Sequence, residues 1–200
     1  MKTLFKSLIV PHVDYCSQLW MPIKSTSIQT IEKLQKDFFN RIPAIRELNY
    51  WERLAKLQMN SQQRRFERYR ILYIWKVLEG LVPNPGVLTS DPGPKGRLVK
   101  IPSLCSKSSA RVRTLREGSL SVHGARLFNA LPQSIRDFRS CDIIQFNEKL
   151  DCFLSKIPDH PKIGTLVPDC CDYITAQPSN SLIDHIWQYT ARAQGTRPGT

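Results

Sequence analysis

Residues 61–80, "SQQRRFERYRILYIWKVLEG", constrain what this chain can fold into more than any other stretch. Asn60 or Ser61 can cap a helix here, and Gly80 sits where a helix-terminating glycine belongs. At about 100° per residue, Phe66, Tyr69, Tyr73 and Val77 share a broad face suited to a core. Arg64, Arg68 and Trp75 fall along one flank, with Arg65 and Lys76 beside them. A helix of this kind has to bury one side, so the neighbouring segments must supply the partner surface.

Those neighbours also read as helices. Residues 3–20 carry apolar groups at helical spacing, interrupted at Pro11, which should kink the helix or start a second one. A helix from Thr26 to Ile42 puts Ile28, Ile31, Leu34, Phe38 and Ile42 on one face, and Pro43 stops it. Asn49 with Glu52 forms a capping-box pattern ahead of Leu54 and Leu57. The predicted architecture is mainly α. An antiparallel helical bundle over 1–81 is followed by a small α+β segment of short strands and two or three helices.

The pattern changes at residues 82–96, "VPNPGVLTSDPGPKG", whose prolines and glycines predict a loop. Residues 82–110 read as a basic linker and 111–161 as the α+β segment. "RLVKIP", "RVRTL" and "SLSVHG" resemble short strands, with Gly124 permitting a backbone reversal. Helices are predicted at "ARLFNAL", at "PQSIRDF" and at "DIIQFNEKLDCFLSKI", the last with Ile143, Phe146, Leu150, Phe153, Leu154 and Ile157 in a stripe. Residues 162–200 have weak periodicity, apart from a short helix at "SLIDHIWQY", and are expected to be a poorly structured tail.

Composition narrows the function classes. A net charge of +12 points to a polyanionic partner, RNA or DNA first. Residues 160–200 are neutral, so the excess lies in the rest of the chain. No apolar run approaches the roughly 20 residues of a membrane span, and no secretory signal is recognisable, so no membrane partner and a nuclear or cytoplasmic location are expected. The six Cys, lacking any C-x-x-C, suit reduced thiols.

Catalytic motifs are missing: no paired Asp, Walker A, G-x-G-x-x-G, G-x-S-x-G or H-E-x-x-H pattern occurs. The expectation is a non-enzyme with no cofactor, no metal and no small-molecule substrate. His12 and Cys16 are four apart but read best as a kink residue and a core residue. Two basic groups suit phosphate contact instead. One is Arg64, Arg65, Arg68 and Lys76 beside Trp75, which either is exposed and stacks on a base, or lies in a second interface beneath a merely solvated basic face. The other is Lys95, Arg97, Lys100, Lys107, Arg111, Arg113 and Arg116, with only Glu117 close by. In "SVHGARLFNALP", His123 and Asn129 are expected to satisfy local backbone groups. Arg126 is expected to be exposed, or paired with Asp137 or Glu148.

The order of segments carries a resemblance. "LFKSLIVPHVDYCSQLW", "IEKLQKDFFNRIPAI", "LNYWERLAKLQMNSQQRRFERYRILYIWKVLEGLV", "VHGARLFNALPQSIR" and "FNEKLDCFLSKIPDHP" follow one another over residues 3–161. Together they resemble the region downstream of the reverse-transcriptase palm in non-LTR (LINE-type, jockey-like) retrotransposon polyproteins. The resemblance implies a polymerase thumb in the first part, holding template–primer duplex through Arg64, Arg65 and Arg68. It also implies a catalytic aromatic-x-Asp-Asp motif upstream; that motif is absent here, so this chain is not expected to polymerise. The alternative is a non-catalytic interaction module or an inert remnant of a mobile element.

Overall fold

The structure, a computed structural model, describes residues 2–22, 24–84, 88–94, 96–103, 109–160 and 180–193. It is mainly helical, and no described helix is long and apolar enough to cross a membrane.

The N-terminal stretch comprises α1 (Lys2–Leu4), a π turn (Phe5–Ile9) and α2 (Val10–Asp14). Pro11 explains the wide turn, because its ring clashes with the carbonyl four residues earlier and an ordinary helix cannot run through it unchanged. The chain then breaks at Cys16, whose φ is +52°, before α3 (Ser17–Trp20). His12 and Cys16 therefore do not share one helix face. Next come α4 (Ser25–Asn40), a 3₁₀ turn (Pro43–Ile45) and α5 (Tyr50–Leu57). The capping box is formed reciprocally: Glu52 N donates to Asn49 Oδ1 at 3.0 Å, and Asn49 N donates to Glu52 Oε2 at 3.0 Å. On α4 the face is rotated from expectation. Leu34 is exposed, while Gln35 and Phe39 are buried. Gln35 accepts from Gln62 Nε2 at 2.6 Å and donates to the Asn60 carbonyl at 3.1 Å, so a polar pair fills the place expected for leucine.

The central helix α6 (Gln62–Leu78) starts at Ser61, whose hydroxyl accepts from Arg64 N. It ends at Gly80 with φ +73°, Leu81 N donating to Lys76 O and Gly80 N to Val77 O, a Schellman closure that only a left-handed residue allows. Two strands follow, β1 (Ser90–Gly93) and β2 (Gly96–Val99), paired antiparallel from Ser90 opposite Val99 to Gly93 opposite Gly96. Regular structure thus enters the stretch expected to be all loop. Asn129 clips the end of β2, accepting from Val99 N at 2.8 Å and donating to Val99 O at 2.9 Å, rather than serving a neighbour in sequence.

Two of the three expected strands are helical. "RVRTL" lies in α7 (Ala110–Glu117), and "SLSVHG" contains a π turn (Leu120–Gly124) that runs into α8 (Ala125–Ala130). The alternation in "RVRTL" fits period 2, but Ser109 caps a helix there and the segment buries no side chain. Gly124 has φ −63° and makes no reversal. Its role is close approach: a Cβ there would lie 3.1 Å from Leu120 Cδ1 and 3.2 Å from Ile74 Cγ1. The chain continues through α9 (Gln133–Arg136), α10 (Ile143–Leu154) and α11 (Leu182–Ala193). α11 covers the short helix expected at "SLIDHIWQY" and extends it to Ala193, but it is no loose tail, since Leu182 and Ile186 are fully buried.

The main core is built around the C-terminal half of α6. Ile71, Ile74 and Trp75 meet Leu127 and Phe128 of α8, Phe146 and Leu150 of α10, and Leu182 and Ile186 of α11. Segments on both sides of residues 82–110 therefore share one core. A smaller cluster of Phe5, Phe39, Ile45, Tyr50 and Leu54 closes the N-terminal end.

Candidate nucleic-acid interface

The arginines of α6 turn inward. Arg64 is 2% exposed; it donates to Pro158 O at 2.7 Å, and its Nε lies 3.7 Å from Asp159 Oδ1. Arg65 pairs with Asp14, which also accepts from Tyr69 Oη at 2.8 Å. Arg68 makes a two-point pair with Asp151, at 2.5 and 2.7 Å. Arg70 donates to Gln18 O at 3.1 Å and Gly118 O at 2.8 Å, and sits 3.0 Å from His123 Nδ1. His123 thus contacts an arginine rather than local backbone. Burial beside Arg70 and Arg126 pushes its imidazole down to about 4, so it is neutral at pH 7.

Of the two readings of Trp75, the structure shows the interface one and not the exposed stacking platform. The indole is fully buried, stacked on Phe146 at 4.4 Å between centroids, and its Nε1 donates to Phe138 O at 3.1 Å. Arg97 is likewise interior, paired with Glu79 and donating to Leu78 O at 2.7 Å. Lys76 is half-buried. Lys95 and Lys107 lie outside the described residues.

A groove of about 830 Å³ runs between α5, the first turns of α6 and the end of α10, lined in part by Trp51, Met59, Arg64, Arg65 and Arg68. Asp151 and Asp159 line it too. Its arginines already face carboxylates, so a phosphate entering there would have to displace protein ligands.

Two buried carboxylates hold elements together near this groove. Glu32 is bonded by Tyr50 Oη and by Gln62 N, the latter at 2.9 Å. Glu67 accepts from Leu182 N at 2.7 Å and so caps the start of α11. Burial pushes both carboxyls up to about 7. A folded-state value above the unfolded one means the native state keeps protons that the unfolded chain has released. Stability from each group is therefore full below about pH 4.5 and is lost as pH rises to about 7, by up to about 3 kcal/mol. His123 acts in the opposite sense between about 4 and 6.5, so a comparison of variants is needed. The difference in urea stability between Glu67→Gln and the parent should shift in favour of the variant across pH 5–7.5. A pH-independent difference would contradict the burial argument.

The second basic group remains outside. Arg111 and Arg113 are exposed, Arg116 is half-exposed and Lys100 is exposed at the end of β2. α7 buries none of its side chains; it is held at its base, where Arg70 binds Gly118 O and Ser119 Oγ donates to Arg116 O at 2.6 Å. An eight-residue helix with no buried face gains little from its own hydrogen bonds. It carries Arg111, Arg113 and Arg116 together with the exposed apolar Val112 and Leu115. Six arginines are buried among the described residues, so part of the chain's positive charge is interior and is not offered to a partner.

Arg126 is exposed, and no carboxylate pairs with it among the described residues. It lines a smaller pocket of about 250 Å³ with Ile101, Asn129, Ala130, Ile183 and Trp187. The sequence indicates the short helix that carries Trp187, but no local signal shows that this helix packs against α8 to form the pocket. No family model, curated protein or solved structure matches this chain.

Proposed function

We propose that this chain is a C-terminal, thumb-containing region of a non-LTR retrotransposon reverse transcriptase, without the catalytic palm, that holds RNA or DNA non-catalytically. The antiparallel bundle of such a thumb corresponds to the helices of residues 1–81. The observation that carries the binding function is α7, a helix with no buried side chain that bears the exposed Arg111 and Arg113 and the half-exposed Arg116. With Lys100 it offers four cations to a phosphate backbone, without a groove shaped to read base edges, which suits low sequence specificity. The contact expected on Arg64, Arg65 and Arg68 moves to this set, because those side chains are occupied within the fold.

Binding to a 20-base-pair duplex, followed by fluorescence anisotropy, tests this. Four phosphate contacts give a slope of about −3.6 in log affinity against log salt, roughly a hundredfold loss between 50 and 200 mM. Absence of binding at 50 mM would refute the proposal.

A second reading, an interaction module, is favoured by one observation. Leu4, Leu8, Tyr15 and Leu19 are all more than half exposed along the N-terminal helices, an apolar surface that suits packing against another polypeptide.

A further inference from the structure

We propose that the pocket between α8 and α11 receives one unpaired base of a single-stranded nucleic acid, stacked on Trp187, with the adjoining phosphate on Arg126. This rests on the nucleic-acid function above and specifies a single-strand site for it. Trp187 is 68% exposed and Ile101 is 43% exposed, although α11 buries Leu182 and Ile186 completely. The helix thus has a well-buried inner side and carries its largest ring outside. The pocket's other walls are apolar: Ile101, Ala130 and Ile183. Asn129 forms part of the wall, its orientation fixed by the two bonds to Val99, which leave one amide N–H and one lone pair over.

At about 250 Å³ the pocket falls below the roughly 300–1,000 Å³ of sites for whole small molecules, and suits a single planar ring. Charge selects the ligand class. Arg126 is an exposed guanidinium without an ion-pair partner among the described residues, and Lys100 adjoins the lining residue Ile101 in sequence. An apolar side chain of a protein partner would fill the pocket but leave this charge unanswered. A nucleotide satisfies both parts, its base against the indole and its phosphate against arginine. Asp184, exposed one turn before Trp187, disfavours a phosphate on that side and leaves the Arg126 side for it. Any base presents a π face, so the site should tolerate sequence but require an unpaired strand.

The test uses the full chain, a labelled 20-nucleotide oligo-dT and a 20-base-pair duplex at one fixed low salt. Trp187→Ala should weaken oligo-dT binding about tenfold while leaving duplex affinity within about twofold. Trp187→Phe should recover most of the loss, and Arg126→Gln should weaken the single strand selectively. If the parent binds both probes and Trp187→Ala binds oligo-dT equally well, the pocket assignment is overturned while the duplex function stands. If the parent binds neither, the nucleic-acid function fails and this inference fails with it. A 5-iodouridine-substituted strand should cross-link to Trp187 on irradiation, and cross-linking confined to α7 would also overturn the pocket.

Discussion

Arg64→Ala should lower the stability of this protein by about 3–5 kcal/mol, the usual cost of removing one partner from a buried ion pair. Arg64 is almost wholly enclosed, and burial pulls its guanidinium below the ordinary arginine value. Its removal deletes the bond to Pro158 O and the charge beside Asp159 and Glu67. Asp159 keeps its contacts with Ser61 N at 2.7 Å, Ser61 Oγ at 2.8 Å and Asn180 Nδ2 at 2.9 Å, but is left without its cation. Those same bonds join the start of α6 to the segment before α11, so the loss reaches both ends of the chain. Urea unfolding is the measurement, and a loss below about 1 kcal/mol would mean that water replaces the guanidinium without penalty. Arg64→Glu should be worse still, placing a third carboxylate among Asp159 and Glu67. Loss of nucleic-acid binding in that variant would report unfolding, not a lost phosphate contact.

Trp75→Ala should cost a comparable amount, about 3–5 kcal/mol, for a different reason. The indole is buried on all sides, lies 11° from parallel with Phe146 and fills the junction of α6 and α10. Truncation leaves a cavity that the helices cannot close, and strands the Phe138 carbonyl. Trp75→Phe should keep much of the ring packing and lose the hydrogen bond, costing less, about 1–3 kcal/mol. The two variants together separate volume from polar satisfaction. If Trp75→Ala unfolds at the same urea concentration as the parent, α10 does not pack on α6 as described.

Helix existence and caps were legible where a local rule applies: Asn49 with Glu52, Ser61, and Gly80 each act within four residues of their partners. The inward turn of the arginines was not. A helical wheel of α6 separates faces, yet it says nothing of a second layer. The carboxylates that receive Arg65, Arg68 and Arg64 are Asp14, Asp151 and Asp159, one near the start of the chain and two in and just after α10, all far from α6 in sequence. Long arginine stems cover apolar surface while their heads reach such partners, so a charged flank can be an interior one. The choice between an exposed and an interface Trp75 stayed open for the same reason, and the structure resolves it because α6 is covered on more than one side. "RVRTL" was ambiguous because alternation over five residues fits an exposed helix as well as a strand. The basic character of residues 95–116 was visible from composition alone, and α7 now gives it a scaffold. The helix that carries Trp187 was legible as "SLIDHIWQY", but its docking through Leu182 and Ile186 was not, because their partners on α6 and α8 are far away in sequence.

Arginines on α6 hold the fold, and under the proposed function those on α7 meet phosphate. The most direct measurement is the salt dependence of duplex binding for the parent and for a variant carrying Arg111→Gln, Arg113→Gln and Arg116→Gln. The account predicts an unchanged urea midpoint, weaker binding and a slope shallower by about 2.7, three phosphate contacts removed. Equal affinity and an equal slope in the two proteins would contradict it, and would place the nucleic-acid surface elsewhere on this chain or nowhere.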